Sequence, residues 1–163
     1  AEIVVRLTGD CPLMDPAVID TVIEHFEAVE ELIDYTSTPR NYPEGLDIEV
    51  FTFAALEEAA RKAQLPSERE HVSPYIKNRP ERFRCDSWQE GENDYSAMHW
   101  SVDTDVDFLF VTEIYKYLYP TNPKFTKDDI LALLAKHHEL LQINKGGTGY
   151  EGLAKSLEED KEF

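Results

Sequence analysis

Apolar residues recur along this chain in two rhythms. Ile3-Val4-Val5-Arg6-Leu7 is a short, β-branched run, the pattern of a strand buried in a parallel sheet. From Asp15 the spacing becomes helical: Val18, Ile19, Val22, Ile23 and Phe26 share one face through about Glu30, with Asp15 at the N-cap and Pro16 in the first turn. Leu32 to Thr36 reads as a second strand, and the Pro-, Asn- and Gly-rich stretch from Thr38 to Gly45 as a loop. Leu46 to Phe51 alternates apolar and acidic positions and predicts a third strand. Thr52 then caps a helix whose apolar face is Phe53, Leu56, Ala59, Ala60 and Ala63.

Further along, Ser67-Glu68-Arg69-Glu70 has the spacing of a capping box and predicts a short helix that Pro74 tightens or kinks. Arg82 to Trp88 and Met98 to Val102 are predicted to be antiparallel strands joined by the polar turn from Gln89 to Asp94. A long helix follows over Asp105 to Tyr119, with Phe108, Leu109, Val111, Ile114, Tyr115 and Leu118 inward. Thr126 caps another, with Ile130, Leu133 and Leu134 inward. Gly146-Gly147-Thr148-Gly149 marks a break at about residue 150, before an acidic tail over 151–163 whose charges are expected to be solvated. Strands alternating with helices define an α/β chain with a mixed sheet.

Charge narrows the function. The chain carries 33 acidic and 16 basic residues among 163, a formal net charge of −17. Nucleic-acid binding needs a basic footprint and is excluded as an expectation. An anionic substrate would have to arrive with a metal cation or meet basic residues gathered locally. No apolar run approaches the roughly 18 residues of a membrane span, so no membrane partner is expected. Two cysteines, Cys11 and Cys85, without a C-x-x-C pair, fit a reducing cytoplasm.

Two carboxylates stand directly after strand-like runs. Asp10 follows Ile3–Leu7 beside Gly9, and Asp103 follows Met98–Val102. In open α/β sheets ligands bind beyond the carboxyl ends of strands. Together the two could hold one Mg²⁺, which takes one or two carboxylates, waters and phosphate oxygens. Competing readings are a turn aspartate bonding local amides for Asp10 and a helix cap for Asp103. Arg6, on a buried strand, is expected to pair with Asp10 or with substrate.

The blocks "VVRLTGDCPLMDPAVID", "YPEGLDIEVFTFAALEEA", "SEREHVSPYI", "HWSVDTDVDF" and "NPKFTKDDILALL" resemble, in order, those of the spore coat polysaccharide biosynthesis protein F family, grouped with the acylneuraminate and 3-deoxy-manno-octulosonate cytidylyltransferases. The resemblance implies a three-layer, mixed-sheet nucleotide-diphospho-sugar transferase (GT-A-like) fold. It also implies transfer of CMP from CTP to a sugar acid with Mg²⁺. Asp10 and Asp103 match the family's metal-binding, catalytic aspartates. Arg6, Glu49, Arg69, Glu70 and His71 fall on the sugar side. Arg69 is suited to clamp a carboxylate, and Glu70 alternatively serves the capping box. Valine at 106 replaces a common glutamate and puts the capping of the following helix in question. No Q-A-R-x-x-S-x-R-L-P-x-K block occurs, so the resemblance implies a C-terminal part, incomplete at the N-terminus and inactive alone. The alternative is a non-catalytic sugar-binding or assembly module. An exposed sheet edge is expected to make either one a homodimer.

Overall fold

The computed structural model describes residues 2–29, 31–146 and 151–162. Among them three strands form a sheet in the order β1-β3-β2: β1 (Ile3–Arg6), β2 (Tyr35–Ser37) and the central β3 (Glu49–Thr52). Both pairings are antiparallel, with Val5 opposite Val50, Arg6 opposite Glu49 and Ser37 opposite Glu49. The parallel, buried strand expected at the start is therefore an antiparallel outer strand, with Val5 exposed and Leu7 just beyond it also exposed. An apolar run reports burial but not the direction of its neighbour.

Period-2 alternation sorts the side chains into two cores. Leu46, Ile48 and Val50 pack with Trp100, the helix α1 (Pro16–Val29) and two later helices, α5 (Asp105–Leu118) and α6 (Lys127–Lys136). On the opposite face Phe51 and Tyr35 pack with α2 (Phe53–Lys62), α4 (Ser73–Lys77) and Phe83. Between α2 and α4 lies the short α3 (Pro66–His71), and the chain ends in α7 (Glu151–Glu159). Helices thus cover both faces of the sheet. No helix among the described residues is long and apolar enough to cross a membrane.

The segments 82–88 and 98–102 do not pair with each other. Each runs parallel to an earlier piece of chain. Asp34 N donates to Arg84 O (2.7 Å) and Asp86 N to Tyr35 O (2.9 Å), whereas Glu44 N donates to Met98 O (3.0 Å) and Trp100 N to Glu44 O (2.8 Å). The intervening turn closes around Asn41, whose Nδ2 donates to Glu90 O and Asn93 O (2.7 Å each) and whose Oδ1 accepts from Glu90 N (3.1 Å). A buried asparagine fills the space where hairpin partners would meet.

Helix caps follow the sequence closely. Asp15 accepts from Ala17 N (2.8 Å) with one oxygen and from Lys127 N (2.7 Å) with the other, joining the starts of α1 and α6. Thr52 caps α2, and Thr126 forms a capping box with Asp129. Thr104 forms one with Asp107, so capping of α5 survives valine at 106. That box also sets the phase of α5. Asp107 is buried, so the inward face is Asp107, Phe110, Val111 and Ile114, while Phe108 and Leu109 stand exposed, contrary to the expected stripe. An apolar run of four residues leaves helical phase undetermined, and the buried cap decides it. In α2 the inward residues are Ala55 and Ala59, and Phe53 is exposed. Of the expected glycine break, Gly147, Thr148 and Gly149 lie outside the described residues.

Gly45 is the tightest backbone contact. Its φ is +96°, and a Cβ there would stand 2.4 Å from Ser101 N and 2.5 Å from Trp100 C. Alanine would add left-handed strain to a clash with backbone atoms that cannot rotate away. Gly45→Ala is expected to lower unfolding free energy by about 3 kcal/mol or more in a urea titration, whereas Gly91→Ala, with the same sign of φ but open space around it, should cost roughly 1 kcal/mol. Equal effects would refute the close-approach account. The two cysteines give a second test. Cys11 is buried, and burial is the main reason its thiol is pushed up to about 11, whereas Cys85 is exposed. A thiol reagent near neutral pH should label Cys85 first and Cys11 only on unfolding.

Candidate functional site

A cavity of about 800 Å³ is lined by Arg6, Asp10, Arg40, Glu49, Lys77 and Asp103, among others. That volume lies in the usual range for small-molecule sites, roughly 300–1,000 Å³. Its floor is one face of the sheet. The register that places Val4 beside Phe51 in the core places Arg6 beside Glu49 and Ser37 one step along, so the same face turns from apolar to polar.

Asp10 and Asp103 reach this cavity from distant parts of the chain, and Val102 N donates to Asp10 O (2.8 Å), joining the two segments. Among the described residues the carboxylate of Asp10 receives no backbone amide, and its one hydrogen-bond partner is the Cys11 thiol at 3.7 Å, so turn formation does not occupy it. Gly9 is not there for close approach, since a Cβ on it would meet nothing within 4 Å. Asp103 does not cap α5, a duty held by Thr104 and Asp107. Ser101 Oγ donates to Asp103 Oδ2 (3.0 Å), and Oδ1 has no hydrogen bond among the described residues.

Behind Asp103 sits a buried histidine. His99 Nδ1 bonds Glu44 Oε2 (2.9 Å), and its Nε2 lies 3.4 Å from Ser101 Oγ, Asp103 Oδ2 and Asp107 Oδ1. Burial opposes the charged ring, but the Glu44 hydrogen bond and the carboxylates of Glu44, Asp107 and Asp103 outweigh it and raise the histidine above its ordinary value. Asn144 ties the far side by donating to His99 O (2.8 Å) and Asp107 Oδ1 (3.2 Å). His99, Asp103 and Asp107 lie close enough to hold an ion. Asp107 is already committed, however: its Oδ2 accepts from Thr104 N and Thr104 Oγ1. Asp10 and Asp103 both offer carboxylate oxygens to the cavity, a donor type that suits a hard cation.

Arg6 pairs with Glu49 (2.6 Å) rather than with Asp10, and Tyr35 donates its hydroxyl to the other Glu49 oxygen (2.7 Å). Burial, then the charge of Glu49, pushes the Tyr35 hydroxyl far above its usual range, which keeps it a neutral donor. Among the expected sugar-side residues His71 lines the cavity, but Arg69 and Glu70 do not. Arg69 is exposed and donates to Ala60 O (3.0 Å). Glu70 accepts from Ser156 Oγ. The capping box expected at Ser67 is absent because α3 starts at Pro66, and Ser67 bonds Asp160 instead.

Two cavity residues missed by the sequence reading are Arg40 and Lys77. Every other arginine donates a side-chain hydrogen bond, to Glu49, Glu57, Ala60 O, Tyr75 O, Glu58 or Asp34. Arg40 has no such partner among the described residues, although acids outnumber bases twofold, and its backbone is pinned by Arg40 N donating to Trp88 O (3.1 Å). Lys77 Nζ lies over the Tyr35 ring, 5.9 Å from its centroid, and has no ion pair among those residues. The one available signal was an arginine set between prolines 39 and 43 in a loop. Asp47 and Glu44 also face the cavity, and burial holds both carboxyls above their ordinary values.

The sequence matches the Cytidylyltransferase family over residues 1–145. It is 34% identical to Uncharacterized protein MJ1063 of Methanocaldococcus jannaschii over 144 residues, covering 88% of this chain and 57% of that protein. It is 29% identical to Spore coat polysaccharide biosynthesis protein SpsF of Bacillus subtilis over 139 residues, covering 83% of this chain and 55% of that one. The fold is similar to the solved structure of a cytidylyltransferase from Leptospira borgpetersenii, with a TM-score of 0.79, 29% identity, and coverage of 90% of this chain and 60% of that chain. The chain therefore spans a little over half the length of these relatives. On the family match and the fold together, this chain belongs to the cytidylyltransferase family.

Proposed function

We propose that the cavity is the metal- and sugar-binding side of a CMP-transfer site whose acceptor is a sugar acid. The observation that carries this reading is the placing of two carboxylates, Asp10 and Asp103, neither paired with an arginine or lysine among the described residues, on the wall of one cavity that also presents two cations without an ion pair among those residues, Arg40 and Lys77. Magnesium, held by Asp10 and Asp103, would supply charge neutralisation at the nucleotide phosphates. In the reaction a sugar hydroxyl oxygen bonds to the α-phosphorus of CTP and gives up its proton to solvent, the bond from the α-phosphorus to the bridging oxygen of the β-phosphate breaks, and pyrophosphate leaves.

The protein's own groups divide this work. Ser101, backed by His99, orients Asp103. Arg6 is neutralised by Glu49, so the two form a polar floor that can bond sugar hydroxyls without adding net charge. Arg40 and Lys77 take the place that the sequence assigned to Arg69 and receive the sugar carboxylate, Arg40 by its planar fork. His71, at the cavity wall, is positioned to bond a hydroxyl. A second reading, a sugar-binding module without turnover, is favoured by the cation supply: Arg40 and Lys77 are few partners for a triphosphate.

Calorimetry with Mg²⁺ should show affinity falling at least about tenfold in Asp10→Asn and in Asp103→Asn. Arg40→Gln and Lys77→Gln should keep Mg²⁺ binding and weaken 3-deoxy-manno-octulosonate or N-acetylneuraminate about tenfold or more. Unchanged Mg²⁺ affinity in both aspartate variants would overturn the metal assignment. Pyrophosphate release from CTP with sugar acid present separates the enzyme from the module.

A further inference from the structure

The family match covers residues 1–145, and the cavity reaches beyond them: Leu157, on α7, is one of its lining residues. The chain end expected to be solvated is tied to α3 at both of that helix's ends. At the start of α3, Asp160 accepts from Ser67 N (3.0 Å) and Ser67 Oγ (2.5 Å), doing in trans what a capping box would do locally. At its end, Ser156, nearly fully buried, donates to Glu70 and lies 3.2 Å from His71 Nε2.

The helix so held cannot hold itself. α3 has six residues, far below the roughly 12–15 at which an isolated helix becomes even marginal. It is followed by Val72 at φ 65°, ψ −59°, a conformation in which a β-branched residue is an outlier and persists only when its surroundings impose it. This strained residue separates His71 from Ser73, and both line the cavity, as do Pro74, Lys77 and Asn78 further along α4. One wall of the pocket therefore hangs on a short helix and a strained hinge.

We infer that α7 and the turn that follows it (Asp160–Glu162) form a strap that completes the binding pocket: Ser156 and Asp160 position α3 and His71, and Leu157 adds an apolar contact for the bound sugar. The inference about Leu157 and ligand rests on the sugar-acid reading above. The bracing of α3 stands without it.

Amide hydrogen exchange on the full chain tests the bracing. Asp160→Ala and Ser156→Ala should speed exchange in residues 66–77 at least about tenfold, with α5 unaffected, and Asp160→Asn, which keeps an acceptor, should restore protection. Unchanged exchange in the alanine variants would overturn the strap. Titration with N-acetylneuraminate and 3-deoxy-manno-octulosonate tests its use. Asp160→Ala and Leu157→Asp should weaken sugar binding about tenfold while Mg²⁺ affinity, set across the cavity by Asp10 and Asp103, stays the same. Sugar affinity equal to wild type in both variants would overturn the pocket role even if exchange rises. If the wild-type chain binds neither sugar, the sugar-acid reading fails and Leu157 loses its assignment, while the exchange result alone decides whether α7 braces α3.

Discussion

The close approach of Gly45 to the backbone of Trp100 and Ser101 is the contact on which the site depends. It lets the stretch from Met98 to Trp100 run parallel to Glu44. From there Val102 bonds Asp10, and Asp103 follows. The same contact seats Trp100 in the larger core and places His99 against Glu44. Core packing and site assembly are thus one event. Any side chain at 45 would push the two segments apart and separate Asp103 from its supporting network.

Charge is arranged with the same economy. A chain with twice as many acids as bases would be expected to saturate its arginines, and nearly all are engaged. Arg40, in a pinned loop, and Lys77, at the end of a buried short helix, have no carboxylate within ion-pair distance among the described residues. Burial holds Glu44 and Asp47 above the ordinary carboxylate range, and the charge of Lys77 acts on Asp47 in the other direction. The cavity thus brings acidic and basic groups together on one lining.

Local chemistry made much of this legible from the sequence. The caps at Asp15, Thr52 and Thr126 and the inward face of α6 depend on neighbours within one helical turn, and a linear pattern records such neighbours. Asp10 and Asp103 could be found because each follows an apolar run, Arg6 because it stands on one, and Glu49 through the block it shares with the family, and the fold brings all four to one cavity. What depended on distant chain could not be read. Strand direction was lost because a buried run looks alike in either orientation. The partner of Arg6 proved to be the cross-strand Glu49, a matter of register. Arg69 and Glu70 look like site residues beside His71, but α3 starts two residues early and turns them toward Ala60 and Ser156. The tail's charges are solvated as expected at Glu158, Glu159 and Lys161, but the ties of Ser156 and Asp160 could not be read because their partners lie some 90 residues away.

The central claim is that two carboxylates remote in sequence bind one divalent ion on the wall of this cavity. Anomalous diffraction from crystals soaked in Mn²⁺, an oxygen-preferring stand-in for Mg²⁺, locates the ion directly. The account predicts a peak coordinated by Asp10 and Asp103. A peak held by His99, Asp103 and Asp107 without Asp10, or one outside the cavity altogether, would contradict it.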